Sequence, residues 1–349
     1  MTDRSSAPSA NRLVLLDLAR IGAILGVIAI HNWSLLHVLP VGTPSWWMDD
    51  ILFTAGRWAV PVFVMISGGL LLRPSIIDAP GAFYRRRLTR IGLPTVFWIA
   101  AYFVFRATFL EEDLTRREIA SDLVMATPFV HLYFLYVIVG LYLVAPAVAA
   151  FISRTPRWGQ GVAAAALLAI PALESIAAVT LGTRGSGVTG LTYWIPFLGY
   201  FLAGHVLFGL TTSARVAALI LGGVVVVIAA QILTVYLIAR AGGPLLYPTG
   251  YFSVFTIAAA VLIYTFCARN SAGQNVEGPI GAVVTGLGAA TFGVYLVHEM
   301  LLHWHARTFV SGTPEELMTA RIPTYFIGLI GSFAIVLVAR RIPVVRSVF

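Results

Sequence analysis

Ten stretches of about 20 mostly apolar residues follow one another along this chain, separated only by short polar or turn-rich breaks. A run of that length is what an α-helix needs to cross the ~30 Å of a bilayer's hydrocarbon. In lipid a backbone must satisfy its own hydrogen bonds, which leaves consecutive long apolar segments the helix as their spanning form. The predicted spans are 13–38, 51–72, 89–109, 128–151, 160–180, 191–210, 215–239, 250–268, 281–305 and 321–339. The expected fold is therefore all-α, a polytopic integral membrane helix bundle of about ten transmembrane helices. A transmembrane domain occupies 13–340 between short tails at 1–12 and 341–349. With 59% hydrophobic and only 11% charged residues among 349, no stretch is left from which to build a soluble domain.

The net charge of +8 comes wholly from arginine, because the sequence has no lysine. Such an excess in a membrane protein marks cytoplasmic loops rather than nucleic-acid binding. With the N-terminus inside, fourteen of the 23 arginines fall in inner loops and tails (Arg4, Arg12, Arg73, Arg85, Arg86, Arg87, Arg90, Arg154, Arg157, Arg215, Arg269, Arg340, Arg341, Arg346), and seven, among them Arg106, Arg307 and Arg321, fall in outer loops. Most carboxylates, including Asp49, Asp50, Glu111, Glu112, Glu118 and Asp122, then fall outside. Both termini are thus expected to be cytoplasmic. The opening twelve residues are too short and polar to be a removable signal peptide. Cys267, the single cysteine, excludes an internal disulfide and a thiolate metal cluster.

Ionisable residues at membrane depth are costly and mark candidate functional positions. The first span holds Asp17, Arg20 and His31. Asp17 and Arg20 stand three apart and can pair on one face. Arg20 and His31 are eleven apart, about 1,100° of rotation, so they share a face and stand about 16 Å apart along the axis. An imidazole there suits general-base work. Arg57 opens the second span ahead of Ser67-Gly68-Gly69, which permit close backbone approach, and it is also placed to reach outward to Asp49 and Asp50. The cluster FYRRRLTRIGLP sits just inside the third span, either as an anchor on anionic lipid or as a phosphate clamp of Arg86, Arg87 and Arg90. His131 begins the fourth span. The ninth carries His298 and Glu299, which point about 100° apart, and His303 and His305, read as interfacial. None of these spacings is a metal signature, so no metal is expected. Phosphate loops, nucleophile elbows and H-E-x-x-H are absent.

LDLAR followed by His31, then RWAVPVFVMISGGLLL, FYRRRLTRIGLP, HLYFLYVIVGLYLVAP, LGYFLAG and FGVYLVH occur in that order along nearly the whole chain. This combination resembles acyltransferase family 3, the membrane O-acyltransferases, in the stand-alone form similar to the enterobacterial common antigen O-acetyltransferase. The resemblance implies transfer of an acetyl group from cytoplasmic acetyl-CoA to a hydroxyl of a cell-surface carbohydrate or glycolipid at the outer face of a bacterial inner membrane. By position, the family's Arg and His are Arg20 and His31, and its R-x-x-R is Arg87 and Arg90. Glu299 departs from the pattern, which leads one to expect an uncharged residue after Y-L-x-H.

Together these give expected catalytic residues His31, Arg20 and Asp17. The donor would contact Arg86, Arg87, Arg90 and Ser67, and the acceptor Arg57, His131, His298 and Glu299. The expected partners are acyl-CoA, the carbohydrate acceptor and the lipid bilayer. The rival from another class is a proton-coupled transporter or flippase using Arg20, His31 and Glu299 as a relay.

Overall fold

The computed structural model describes residues 13–182, 189–269, 278–310 and 312–349, and no strand occurs among them. The expected 1–12 tail and most of the break at 181–190 lie outside the described residues. In chain order the helices are α1 (Val14–Asn32), α2 (Pro44–Thr54), α3 (Ala59–Leu71), α4 (Ser75–Asp78), α5 (Pro80–Arg87) and α6 (Leu93–Thr108). They continue as α7 (Arg116–Met125), α8 (Tyr133–Arg154), α9 (Arg157–Thr180), α10 (Leu198–Leu207) and α11 (Ala214–Arg240). The last four are α12 (Val254–Ala268), α13 (Pro279–Phe309), α14 (Pro314–Phe326) and α15 (Ser332–Ala339).

Among the described residues, eight stretches are long and apolar enough to cross a membrane: α1, α2 with α3, α5 with α6, α8, α9, α11, α13, and α14 with α15. Two shorter apolar stretches, Ile195–Leu207 and Val254–Ala268, occupy the places of the sixth and eighth predicted spans. The polytopic helix bundle is as the sequence led one to expect, with several boundaries moved.

The second span is not one helix. Thr43 caps α2 by accepting from the Trp46 amide at 3.2 Å, and Pro44 fits its first turn, so helix begins earlier than the apolar run does. The chain then leaves the helix across residues 55–58. There Gly56 lies against α1 so closely that a Cβ would stand 2.7 Å from the Gly26 carbonyl oxygen. Arg57 therefore sits in a turn, free to aim into the bundle. The same early start corrects the reading of Asp49 and Asp50 as outer-loop carboxylates: both are buried in α2. Asp49 accepts from the Leu35 amide at 2.9 Å and Asp50 from the Thr54 hydroxyl at 2.8 Å. The arginine cluster likewise lies on helix rather than ahead of it, in the last turn of α5 and the π-helical turn Leu88–Gly92.

The centre of the bundle is α1, which buries Ala23, Ile24, Val27 and Ile28 against α3, α12 and α13. At its start the approach to α13 is close, since a Cβ on Gly288 would stand 2.7 Å from the Asp17 Cβ. Closest of all is the crossing of α3 with α10. A Cβ on Gly68 would run into the Phe201 carbonyl, and one on Gly204 into the Met65 carbonyl. The Tyr264 hydroxyl of α12 donates to the Gly204 carbonyl at 2.8 Å, closing a trio of short helices. Around it α11 leaves Leu219 74% and Val225 68% exposed, as a lipid-facing helix must. The expected C-terminal tail is docked: Val348 accepts from the Trp98 indole at 2.8 Å, and Phe349 packs edge-on to that ring.

Candidate active site in the helix bundle

Three cavities step along the bundle. The first lies at the arginine-rich end, about 320 Å³, between Tyr84, Arg85, Arg87, Ile91 and Tyr142. The second, about 260 Å³, shares Ile91 and Tyr142 with it and is lined further by Arg20, Ser67, Thr291 and Tyr295. The third, about 650 Å³, opens at the opposite end among His31, Arg57, Tyr133, Tyr251, Glu299, His303 and Arg321. Its size falls in the ~300–1,000 Å³ range of small-molecule sites.

The second and third cavities meet α1 and α13 one after the other. Arg20 and Val27 face the second, whereas Ile30, His31 and Asn32 face the third. On α13, Thr291 and Tyr295 line the one and Glu299 and His303 the other. This is the shared helix face that eleven-residue spacing predicts.

Between the cavities lies a cluster of imidazoles. His31 Nδ1 stands 2.8 Å from Glu299 Oε1, and His303 Nδ1 stands 3.1 Å from Glu299 Oε2. The carboxylate is buried, so these two contacts are what pay for its placement at membrane depth. His298 packs on His31 with ring centres 5.4 Å apart, and His131 packs on His298 at 5.0 Å. His298 Nδ1 lies 2.7 Å from the Tyr295 carbonyl, which can only accept, so Nδ1 carries the proton and a neutral ring keeps a bare Nε2. That Nε2 and both ring nitrogens of His131 are buried without a hydrogen-bond partner. The Tyr295 hydroxyl donates to the His131 carbonyl in a short hydrogen bond.

The sequence-predicted residues divide accordingly. Asp17 and Arg20 form the anticipated pair at 2.6 Å but sit about two-thirds of a helix away from His31, so Asp17 holds Arg20 and does not touch the imidazole. Ser67 accepts from the Tyr142 hydroxyl at 3.5 Å on the wall of the second cavity. Of the expected clamp of Arg86, Arg87 and Arg90 only Arg87 lines a cavity, its guanidinium 5.4 Å from the Tyr142 ring centre. Arg86 and Arg90 are exposed. Arg57 does not reach Asp49 or Asp50. It lies over the Tyr251 ring at 4.1 Å and lines the third cavity. His131 and His298 stand behind that cavity's wall rather than on it.

His303 corrects an expectation. Read as interfacial, it instead contacts Glu299, because α13 continues helical to Phe309 and brings residue 303 one turn above 299 on the same face. His305, also read as interfacial, is buried, with Nδ1 2.8 Å from the Thr324 hydroxyl. Sequence reasoning also missed Arg321, taken for an outer-loop residue. It lies on α14 with one guanidinium nitrogen donating to the Asn32 carbonyl beside His31. Ligand atoms of His31, His298 and Glu299 lie within 4.8 Å of one another, so groups able to ligate a divalent cation converge from two helices. Spacing along one helix has no means of announcing such a convergence.

Comparison with curated proteins and with solved structures returned no match. A family model described as an acyltransferase domain matches residues 13–341, nearly the whole chain, in which α1 carries the paired Arg20 and the Glu299-held His31. The chain belongs to acyltransferase family 3.

Proposed function

We propose that the protein moves an acyl group, acetyl in the simplest case, from a cytoplasmic acyl-CoA to a carbohydrate hydroxyl at the outer face of a bacterial cytoplasmic membrane. The observation that carries this reading is His31, clasped by a buried carboxylate where the outer cavity begins, with a second cavity directly beneath it along the same two helices.

The Glu299 carboxylate, set between two imidazoles, lies against His31 Nδ1 and leaves Nε2 as the nitrogen free to act as base. Nε2 takes the proton of the acceptor hydroxyl as its oxygen attacks the thioester carbonyl. The new C–O bond forms, the C–S bond breaks, and the imidazolium returns the proton to the departing sulfur. The donor's phosphates suit the arginine-rich end, where Arg85 and Arg87 line the first cavity and Arg86 and Arg90 are exposed on the same stretch of helix. The arm of the donor runs past Ser67, Tyr142 and Arg20, the last held in place by Asp17. Arg20 and His31 are about 16 Å apart along α1, a distance within an extended pantetheine arm's reach, so the sugar need not cross the membrane.

The test is binding and turnover of acetyl-CoA by purified protein in nanodiscs. Wild type is expected to bind and slowly release or transfer acetyl, and Arg87→Gln to weaken binding by about tenfold, the worth of one charge-assisted contact. If neither acetyl-CoA nor a longer acyl-CoA binds wild type, the donor assignment fails and proton-coupled transport is the reading to pursue.

A further inference from the structure

The third cavity holds more positive charge than acyl transfer to a neutral hydroxyl requires. Arg57 enters it from the turn between α2 and α3, and Arg321 from α14. Neither forms an ion pair among the described residues. Each has a buried Nε without a hydrogen-bond partner. Among the described residues the one carboxylate on the cavity wall is Glu299, which already lies within 2.8 Å of His31 and 3.1 Å of His303. Asp49 on α2 is near enough to attract Arg321 but is turned to the Leu35 amide and does not line the cavity. Two guanidinium groups without an ion-pair partner, Arg321 drawing only on the field of Asp49, are costly in the half-buried mouth of a membrane protein, and an anion arriving between them offsets that cost.

The cavity's other walls specify what carries the anion. Tyr133, Tyr251 and Phe53 present ring faces and edges of the kind on which a pyranose stacks. The Arg57 guanidinium lies over Tyr251 at 4.1 Å and 5.2 Å from the Phe53 ring centre, so the cation is held on aromatic rings of the cavity wall. Arg321 is anchored to the carbonyl of Asn32, the neighbour of His31, so an oxyanion on its fork lies on the same sugar as a hydroxyl presented to the base.

We propose that the acceptor is an acidic carbohydrate, bearing a carboxylate or a phosphate that Arg57 and Arg321 hold while a neighbouring hydroxyl meets His31. This rests on the acyl-transfer reading and names the acceptor's chemical class within it.

The experiment measures binding to the full chain in nanodiscs of three probes: cellobiouronic acid, its uncharged counterpart cellobiose, and glucose 1-phosphate. Acetyl-CoA binding is read on the same samples. At least one anionic probe is expected to bind about tenfold or more tightly than cellobiose, with the advantage shrinking as salt rises. Preference for the uronate identifies a carboxylate, and preference for the phosphate identifies a phosphosugar. Arg57→Gln and Arg321→Gln should each remove most of the advantage, whereas Arg57→Lys, which keeps the charge and cannot disrupt the turn by leaving a hole, should keep part of it. Equal binding of all three, or anion preference that survives both glutamine variants, overturns the inference even if acetyl-CoA binds normally. Anion preference without acetyl-CoA binding would instead sink the donor reading and leave the acidic-ligand site standing.

Discussion

Changing His31 to alanine is expected to lower acyl transfer by about 10²–10⁴-fold while acetyl-CoA remains bound, because the change removes the base and leaves the donor's path untouched. The reason lies in the division of labour along α1. Arg20 faces the second cavity and His31 the third, so deleting the imidazole opens space only on the acceptor side. Glu299 supplies the internal check. Glu299→Leu leaves His31 Nδ1 without its 2.8 Å acceptor and should approach the alanine variant in rate. Glu299→Gln keeps an acceptor oxygen without the charge and should fall between that variant and wild type. Single-turnover acetyl transfer with donor binding read in parallel distinguishes these outcomes. A His31→Ala protein that turns over at the wild-type rate would remove the imidazole from the reaction.

The largest effect on folding is expected at the α3–α10 crossing. Gly204→Val puts three carbons where the Met65 carbonyl already stands, and the reciprocal Gly68 leaves the two backbones no direction in which to separate. Overpacking of this kind costs about 3 kcal/mol or more, and here it also breaks the Tyr264 to Gly204 hydrogen bond. Gly204→Val should therefore yield little monodisperse protein after detergent extraction. Gly222→Ala on α11, where an added Cβ meets nothing within 4 Å, should extract and unfold as wild type does. Similar behaviour of the two variants in thermal unfolding would contradict the close crossing.

What the sequence made legible is what one helix can encode by itself. Asp17, Arg20 and His31 share α1, so their relative height and azimuth follow from helical geometry and survive in the structure. The apolar runs are equally local, and nearly every predicted span has its helix. What was not legible depends on packing between helices. The Glu299 carboxylate looked like a departure from a family pattern until α13 was laid beside α1, where it becomes the partner of His31. Arg321 was counted as a loop charge because its contact, the Asn32 carbonyl, is 289 residues away in sequence. Asp49 and Asp50 were misassigned for a different reason. Two adjacent acids look like a loop, but the Thr43–Pro44 start of α2 and the Leu35 and Thr54 donors give them buried hydrogen bonds.

The trio of α3, Ile195–Leu207 and α12 has a consequence for the surrounding lipid. At ~1.5 Å per residue, segments of 13 to 15 residues span only about 20–22 Å, whereas the 24 residues of α9 and 27 of α11 reach about 36–40 Å. The protein is thus a thin septum inside a tall palisade. Bilayers of different thickness are met by the palisade, which accommodates mismatch by tilting at a fraction of a kcal/mol per Å. The path from Arg20 to His31 runs along α1, most of whose residues are buried in the bundle, so its length is set by the chain and not by the lipid composition of the host membrane.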